Sequence, residues 1–168
     1  MSSDALSLAI VLAGTTAGAA VDLRTGRVPN GLTLSLASVG MAMAALGLGG
    51  VGVAGAFGGC LVGLLLMLPG HVLGATGGGD VKLLAAAGTV LGPTNTLWAF
   101  IFTMLAGAVL ALVVAARRRR LALTLSRSFE RVRTFGADAV ARDSANAGNR
   151  FAYAPAIAVG VAAAVVFV

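Results

Sequence analysis

Two carboxylates, Asp22 and Asp80, stand at the ends of long apolar segments, where ionisable side chains are rare. Asp22 ends the first apolar run, and Asp80 opens the fourth. Ionisable groups at a membrane edge are candidates for function. Two carboxylates that are brought close together cannot both ionise easily, so one of them keeps a proton. Such a pair can activate a water molecule for attack on a carbonyl group and protonate the amine that leaves.

Each aspartate also has a plainer interpretation. Asp80 could be the N-cap of a helix, where its carboxylate would accept hydrogen bonds from free backbone amides. Asp22 could pair with Arg24 in a turn next to the membrane. The other four acidic residues suggest no site, because one lies near the N-terminus and three lie in a basic segment: Asp4, Glu130, Asp138 and Asp143.

The composition shows which kind of fold must position these side chains. The chain has 168 residues, of which 58% are hydrophobic and only 11% are charged, and its mean hydropathy is +0.97. Soluble domains carry about 25% charged residues. Disorder and a nucleic-acid-binding domain are therefore excluded as descriptions of the whole chain, and we expect an all-α, polytopic membrane protein in one domain, residues 1–168.

A membrane-spanning helix needs about 20 apolar residues, and six runs come close to that length. They cover residues 5–21, 31–48, 51–69, a weaker run from Val81, 97–116 and 151–168. The fourth run meets Gly92-Pro93 early, so its helix is either short or continues through that pair with a kink.

The basic residues predict the orientation of these spans. Of the twelve, nine lie between residues 117 and 150, and the others are Arg24, Arg27 and Lys82. Six spans with both termini outside place every Lys and Arg at or next to the cytoplasmic side, in agreement with the positive-inside rule. The positive charge is therefore attributed to membrane orientation, and no nucleic-acid partner is expected.

The basic loop of residues 117–150 is expected to be cytoplasmic. Leu125, Phe129, Val132 and Phe135 recur at helical spacing among arginines. This pattern predicts a basic amphipathic helix on the anionic inner leaflet of the bilayer. A solvated linker is the alternative.

The residues beside the two aspartates suggest how a substrate is admitted. Gly77-Gly78-Gly79 precedes Asp80, and glycines allow a backbone to approach closely. An extended substrate peptide could pair there through its main chain, whereas a flexible hinge is the plainer alternative. Pro29 fixes the chain before the second helix, and Asn30 can cap that helix.

Neither a metal nor a cofactor is expected. Cys60 is the single cysteine and lies in an apolar run, so it can form neither an intrachain disulfide nor a four-thiolate zinc site. His71 is the single histidine and is interpreted as a loop residue.

Three segments together resemble the type IV prepilin peptidases. The segment around the first aspartate, Asp22-x-Arg24-x-x-x-Val28-Pro29-Asn30, resembles the first-aspartate motif of that family. The segment around the second, Gly77-x-Gly79-Asp80-x-Lys82, resembles the GxGD signature that the family shares with presenilin-type proteases. The last span, with Tyr153-Ala154-Pro155-Ala156-Ile157, resembles the family's Pro-containing final helix.

The resemblance implies a membrane aspartic endopeptidase with Asp22 and Asp80 as its catalytic residues. Its substrates would be prepilin-like or pre-archaellin-like precursors, which lose a short basic leader at the cytoplasmic face of the inner (plasma) membrane. Substrate-binding or supporting roles are implied for residues of the two motifs: Gly77, Gly79, Lys82, Arg24, Pro29 and Asn30.

The chain departs from the long members of the family in one respect. Those members carry a cytoplasmic zinc domain with two Cys-x-x-Cys pairs and also methylate the product, whereas Cys60 is the single cysteine here. No methyltransferase activity is therefore expected. The short, peptidase-only form of tight-adherence (Flp) pilus systems is the better match.

Two other functions are considered. A small transporter or channel component could use the same aspartates for proton or cation passage, but a path should show polar residues through the bilayer depth, and the spans offer only scattered Ser and Thr. An inactive scaffold for pilus assembly is the third interpretation.

Overall fold

The computed structural model describes residues 3–73, 76–117 and 153–167 of the chain, and all secondary structure in these ranges is helical. The helices are α1 (Ser3–Thr25), α2 (Asn30–Leu46), α3 (Val53–Val72), α4 (Gly78–Arg117) and α5 (Ala154–Phe167). The predicted all-α fold is thereby confirmed for the described residues. The basic loop and its predicted amphipathic helix lie outside these ranges.

Among the described residues, three helical stretches are long and apolar enough to cross a membrane, namely Ala5–Thr25, Val53–Val72 and Gly78–Val113. The helices Asn30–Leu46 and Ala154–Phe167 are apolar but shorter. Large aliphatic side chains on the outer faces of several helices are exposed, among them Leu61, Leu65 and Leu105. An apolar exterior of this kind suits a lipid solvent rather than water.

Helix α4 consists of two arms that meet at Gly92. Gly92 has a non-helical backbone with φ 75° and ψ 173°, which is a conformation that favours glycine. Pro93 begins the second arm, a position where the lack of an amide hydrogen costs nothing. The first arm comprises residues 78–91 and the second arm residues 93–117.

The second arm runs back alongside the first. Tyr153 contacts Thr103 and Met104 of the second arm, and the next residue, Ala154, donates its N–H to Asp22 at the end of α1. The start of the first arm lies at this same end, since Val28, which follows α1, packs against Gly79. In a straight helix, Asp80 and Met104 would be roughly 36 Å apart at 1.5 Å per residue. The chain therefore reverses at Gly92, so that of the two sequence-based alternatives the short fourth helix is the one observed.

The first arm is the centre of the bundle. Residues 83–91 are all buried, and side chains of this arm pack against glycines of the surrounding helices, such as Leu83 against Gly18 of α1. Gly59 of α3 and Gly88 of the first arm lie backbone to backbone, since a Cβ atom on either would overlap the carbonyl group of the other. Small residues at such crossings are typical of helices that associate in membranes.

Helix α5 packs against the second arm and α1. Gly160 of α5 lies against the backbone of Ala99 and Thr103, again with no room for a Cβ atom. At the beginning of α5, the Tyr153 ring lies over Gly107. The N-terminus of α5 is thereby held at the same end of the bundle as the end of α1 and the start of α4.

Candidate active site

Asp22 lies in the last turn of α1 and faces the interior of the bundle, with 6% of its surface exposed. One of its oxygens, Oδ2, accepts a hydrogen bond of 3.4 Å from the backbone N–H of Ala154. That amide belongs to the first turn of α5, where N–H groups lack partners within the helix.

Arg24 is exposed, in contrast to Asp22, because residues two apart on a helix point to different faces. Among the described residues, the hydrogen bond that reaches the Asp22 carboxylate comes from the amide of Ala154 and not from Arg24. The alternative in which Asp22 pairs with Arg24 is therefore not observed.

Asp80 is the third residue of α4 and is 5% exposed. Its Oδ2 accepts a 2.9 Å hydrogen bond from the backbone N–H of Gly77, the residue before the helix. A carboxylate in the third helical position that reaches back to the N-cap amide is one half of a capping box. The interpretation of Asp80 as the N-cap itself is wrong, since α4 begins two residues earlier, at Gly78.

The two carboxylates share one end of the bundle. The segments that contain them are in contact, since Val28 lies against Gly79 and Lys82 is hydrogen bonded to Asn30, although Asp22 lies at the end of α1 and Asp80 at the start of α4. The helix topology brings the two together, because α1 runs toward this end and the first arm of α4 runs away from it.

The connection from α1 to α2 is held by local hydrogen bonds. Gly26, with φ 66°, ends α1 and donates its N–H to the Asp22 carbonyl over 2.7 Å. The Thr25 hydroxyl lies 2.9 Å from the carbonyl oxygens of both Val21 and Arg27. These bonds fix the backbone that directly follows Asp22.

Pro29 is the N-cap residue of α2, and its carbonyl accepts the N–H groups of Leu32 and Thr33. Asn30 does not cap this helix as expected, because it is already the first helical residue. Its side-chain oxygen instead accepts a 3.0 Å hydrogen bond from Nζ of Lys82. This contact joins the segment after Asp22 to the segment after Asp80.

The glycines before Asp80 make close contacts inside the protein. A Cβ atom on Gly79 would lie 3.0 Å from Cβ of Val28, and one on Gly77 would lie 3.1 Å from Oδ2 of Asp80. Val28 is 7% exposed. The glycine at position 79 thus allows the two aspartate-containing segments to approach each other closely.

His71 lies in the last turn of α3 rather than in the loop, which corrects the interpretation from the sequence. Its Nδ1 is 3.1 Å from the Thr76 carbonyl and must carry the hydrogen to make that bond. Its ring lies next to Gly78, and it acts electrostatically on Asp80. The sequence could not predict this contact, because a single histidine forms no recognisable motif.

Tyr153 is the second residue whose place at the site was not foreseen individually. It directly precedes Ala154, whose amide binds Asp22, and the charge of Asp80 acts on it. Its position in the third motif was the only available signal. Within the described residues, no group of three or more His, Cys, Asp or Glu side chains is placed to hold a metal ion.

An apolar bundle with two buried carboxylates at one end defines a helical membrane protein with a polar site. The model of the type IV leader peptidase family matches residues 9–112, which is more than half of the chain and includes both aspartates. The chain therefore belongs to the type IV leader peptidase family and is a peptidase, as the motifs indicated. No curated protein and no solved structure matches the chain significantly.

Proposed function

We propose that this protein is an aspartic endopeptidase of the cytoplasmic membrane in which Asp22 and Asp80 carry out the hydrolysis. The main support is that the helix topology brings these two carboxylates together. Each of them is buried, and each accepts a hydrogen bond from one backbone amide. The ionised carboxylate takes a proton from water, which attacks the scissile carbonyl group, and the protonated one donates to the leaving amine. The peptide bond is thereby broken, and water supplies both new ends.

The hydrogen bonds to Oδ2 orient both carboxylates for this task. Among the described residues, the hydrogen bonds from protein to Asp22 and Asp80 involve Oδ2 alone. The second oxygen of each carboxylate is then available for water and substrate. Backbone donors suit this purpose because they stay in place when the protonation state changes.

We propose prepilin-like precursors with short basic leaders as substrates, cleaved at the cytoplasmic face of the inner membrane. The family supports a leader peptide as the substrate class. The orientation is supported by Arg24, Arg27 and Lys82, which lie at the same end of the bundle as the aspartates. The basic loop of residues 117–150 would then contact the anionic inner leaflet.

We also propose that the two arms of α4 cross the membrane separately, which gives six spans with both termini outside. The reversal at Gly92 supports this count. Of the supporting residues, Asn30 and Lys82 would align the two motifs, and Pro29 would fix the start of α2. Gly77 and Gly79 would hold Asp80 in place and leave room for the substrate backbone, while exposed Arg24 would contact the substrate.

The alternative of proton or cation transport is not supported by the buried polar residues. Thr15, Thr89, Thr96 and Thr103 are buried, but each hydroxyl donates to a carbonyl of its own helix. Because their protons are engaged within the helices, these hydroxyls offer no free hydrogen-bond donors along the spans.

The decisive experiment replaces each aspartate by asparagine and measures cleavage of a prepilin. Asn is nearly isosteric with Asp but cannot exchange the proton, so Asp22→Asn and Asp80→Asn should each abolish cleavage while the protein inserts normally. The double variant should be no worse than either single one, since the pair acts as a unit.

Asp143→Asn, the same chemical change in the basic loop, is the matched control and should cleave normally. Near wild-type cleavage by either Asp22→Asn or Asp80→Asn would contradict the two-aspartate mechanism.

A further inference from the structure

The N-terminus of α5 supplies the amide that holds Asp22, although α5 is far from α1 in sequence. Ala154 is fully buried and donates to Asp22. The next residue, Pro155, has no N–H, and the amides of Ala156 and Ile157 are donated to the Tyr153 carbonyl. In the first turn of α5, the Ala154 amide is therefore the donor that can hold Asp22. The position of this amide depends on where α5 begins.

The ring of Tyr153, the residue before α5, packs against the second arm of α4. A Cβ atom on Gly107 would lie 2.5 Å from the tyrosine oxygen and 2.7 Å from Cε2 and Cζ, so the ring rests directly on the backbone of the second arm. The hydroxyl hydrogen bonds are long, at 3.5 Å to the Thr103 carbonyl and 3.7 Å to the Met104 sulfur. The contact with Gly107 is made by the hydroxyl end of the ring, through the oxygen together with the neighbouring carbons Cε2 and Cζ.

We propose that Tyr153, seated on Gly107, is a positioning residue that sets the start of α5 so that the Ala154 amide orients the Asp22 carboxylate. This inference rests on the proposed function for its effect on catalysis. It predicts that a methyl group on Gly107 displaces the ring, moves the Ala154 amide and misorients Asp22, although the chemical identity of every group at the reacting centre is unchanged.

The kinetic test uses Gly107→Ala and measures kcat and KM separately on a prepilin. We expect kcat to fall about 10- to 100-fold with KM nearly unchanged, because misplacement of a reacting group by about 1 Å can have an effect of that size. Tyr153→Phe keeps the ring carbons that lie against Gly107 and should stay within about threefold of wild type. Tyr153→Ala should behave like Gly107→Ala.

Gly58→Ala in α3 is the matched control, because its Cβ atom would lie an ordinary 3.7 Å from the Pro93 side chain. It should retain wild-type kinetics. Wild-type kcat for Gly107→Ala, or a rise in KM alone, would overturn the proposal.

A second measurement does not depend on activity. With ¹⁵N-alanine labelling, the Ala154 amide signal is identified by its absence in Ala154→Ser, and it should move when Asp22→Asn is introduced. In the Gly107→Ala background the same substitution should move it far less.

The two measurements separate the possible failures. An equal movement of the Ala154 signal in both backgrounds would overturn the positioning role, whatever the activity. If Asp22→Asn still cleaves the prepilin while the signal behaves as expected, the proposed function is wrong and the positioning of Asp22 stands.

Discussion

Lys82 donates a hydrogen bond from Nζ to the side-chain oxygen of Asn30 over 3.0 Å, and this contact joins two segments that are 52 residues apart in sequence. Lys82 is two residues beyond one aspartate, and Asn30 follows the other across the turn that begins α2. The contact thus links the two aspartate-containing segments without involving either carboxylate.

We expect Lys82→Met and Asn30→Ala each to lower kcat/KM about threefold to tenfold. One hydrogen bond contributes about 1 kcal/mol, which corresponds to about a fivefold change in rate. The double variant should lose no more than either single one, as in a double-mutant cycle for two partners. Asn95→Ala, at the opposite end of the bundle, is the control. Losses that multiply in the double variant would show that the two residues act independently.

The orientation of the bundle can be tested with single cysteines in a Cys60→Ala background. Arg27 follows α1, while Asn95 and Gly50 line one cavity of about 320 Å³ at the other end. We expect a membrane-impermeant maleimide to label Asn95→Cys and Gly50→Cys in intact cells, and Arg27→Cys after permeabilisation only. Protection of Asn95→Cys in intact cells would refute the outward position of the α4 turn.

The crossing of α3 and the first arm should not tolerate a methyl group. Gly59→Ala and Gly88→Ala force a Cβ atom into the opposing backbone, so each should lower the free energy of unfolding by about 1–3 kcal/mol. The Tm in detergent would then fall by several degrees. Gly31→Ala, where no atom lies within 4 Å, is the control and should keep or raise the Tm. An unchanged Tm for both α3 and α4 variants would mean that the helices are further apart.

Cleavage should persist in excess chelator, and Cys60→Ala should remain active. The proposed reaction uses two carboxylates and water, and the sequence has one cysteine and one histidine, too few for a four-thiolate zinc site. Purified protein and a prepilin suffice for this measurement. Loss of cleavage on chelation that is restored by zinc would mean that the mechanism is different.

The existence and order of the helices could be predicted from the apolar runs in the sequence. The positions at which the helices end could be predicted less well. The first run was expected to stop at Val21, yet α1 continues to Thr25 because helical hydrogen bonds do not require apolar residues. The helix ends where Gly26 adopts a positive φ. For α4, the pair Gly92-Pro93 left two alternatives, which only the packing of α5 distinguishes.

The two aspartates stand out in the sequence as candidates because carboxylates at the ends of apolar runs are rare and their flanking motifs are specific. The contacts that orient them could not be predicted. Each of these contacts depends on which helices are neighbours, and hydropathy carries no information on that point. They are the contacts of Ala154 with Asp22, of Lys82 with Asn30 and of Val28 with Gly79.

The brevity of the first arm of α4 has a consequence for the lipids around it. Its 14 residues, 78–91, extend only about 21 Å, whereas the hydrocarbon core of a bilayer is about 30 Å thick. In the proposed orientation, with the turn at Gly92 near the outer surface, Asp80 would lie several ångströms below the inner one. Water must then descend to the carboxylates, or the inner leaflet must thin around them. Acyl-chain length thereby becomes a determinant of how readily water and a leader peptide reach the site.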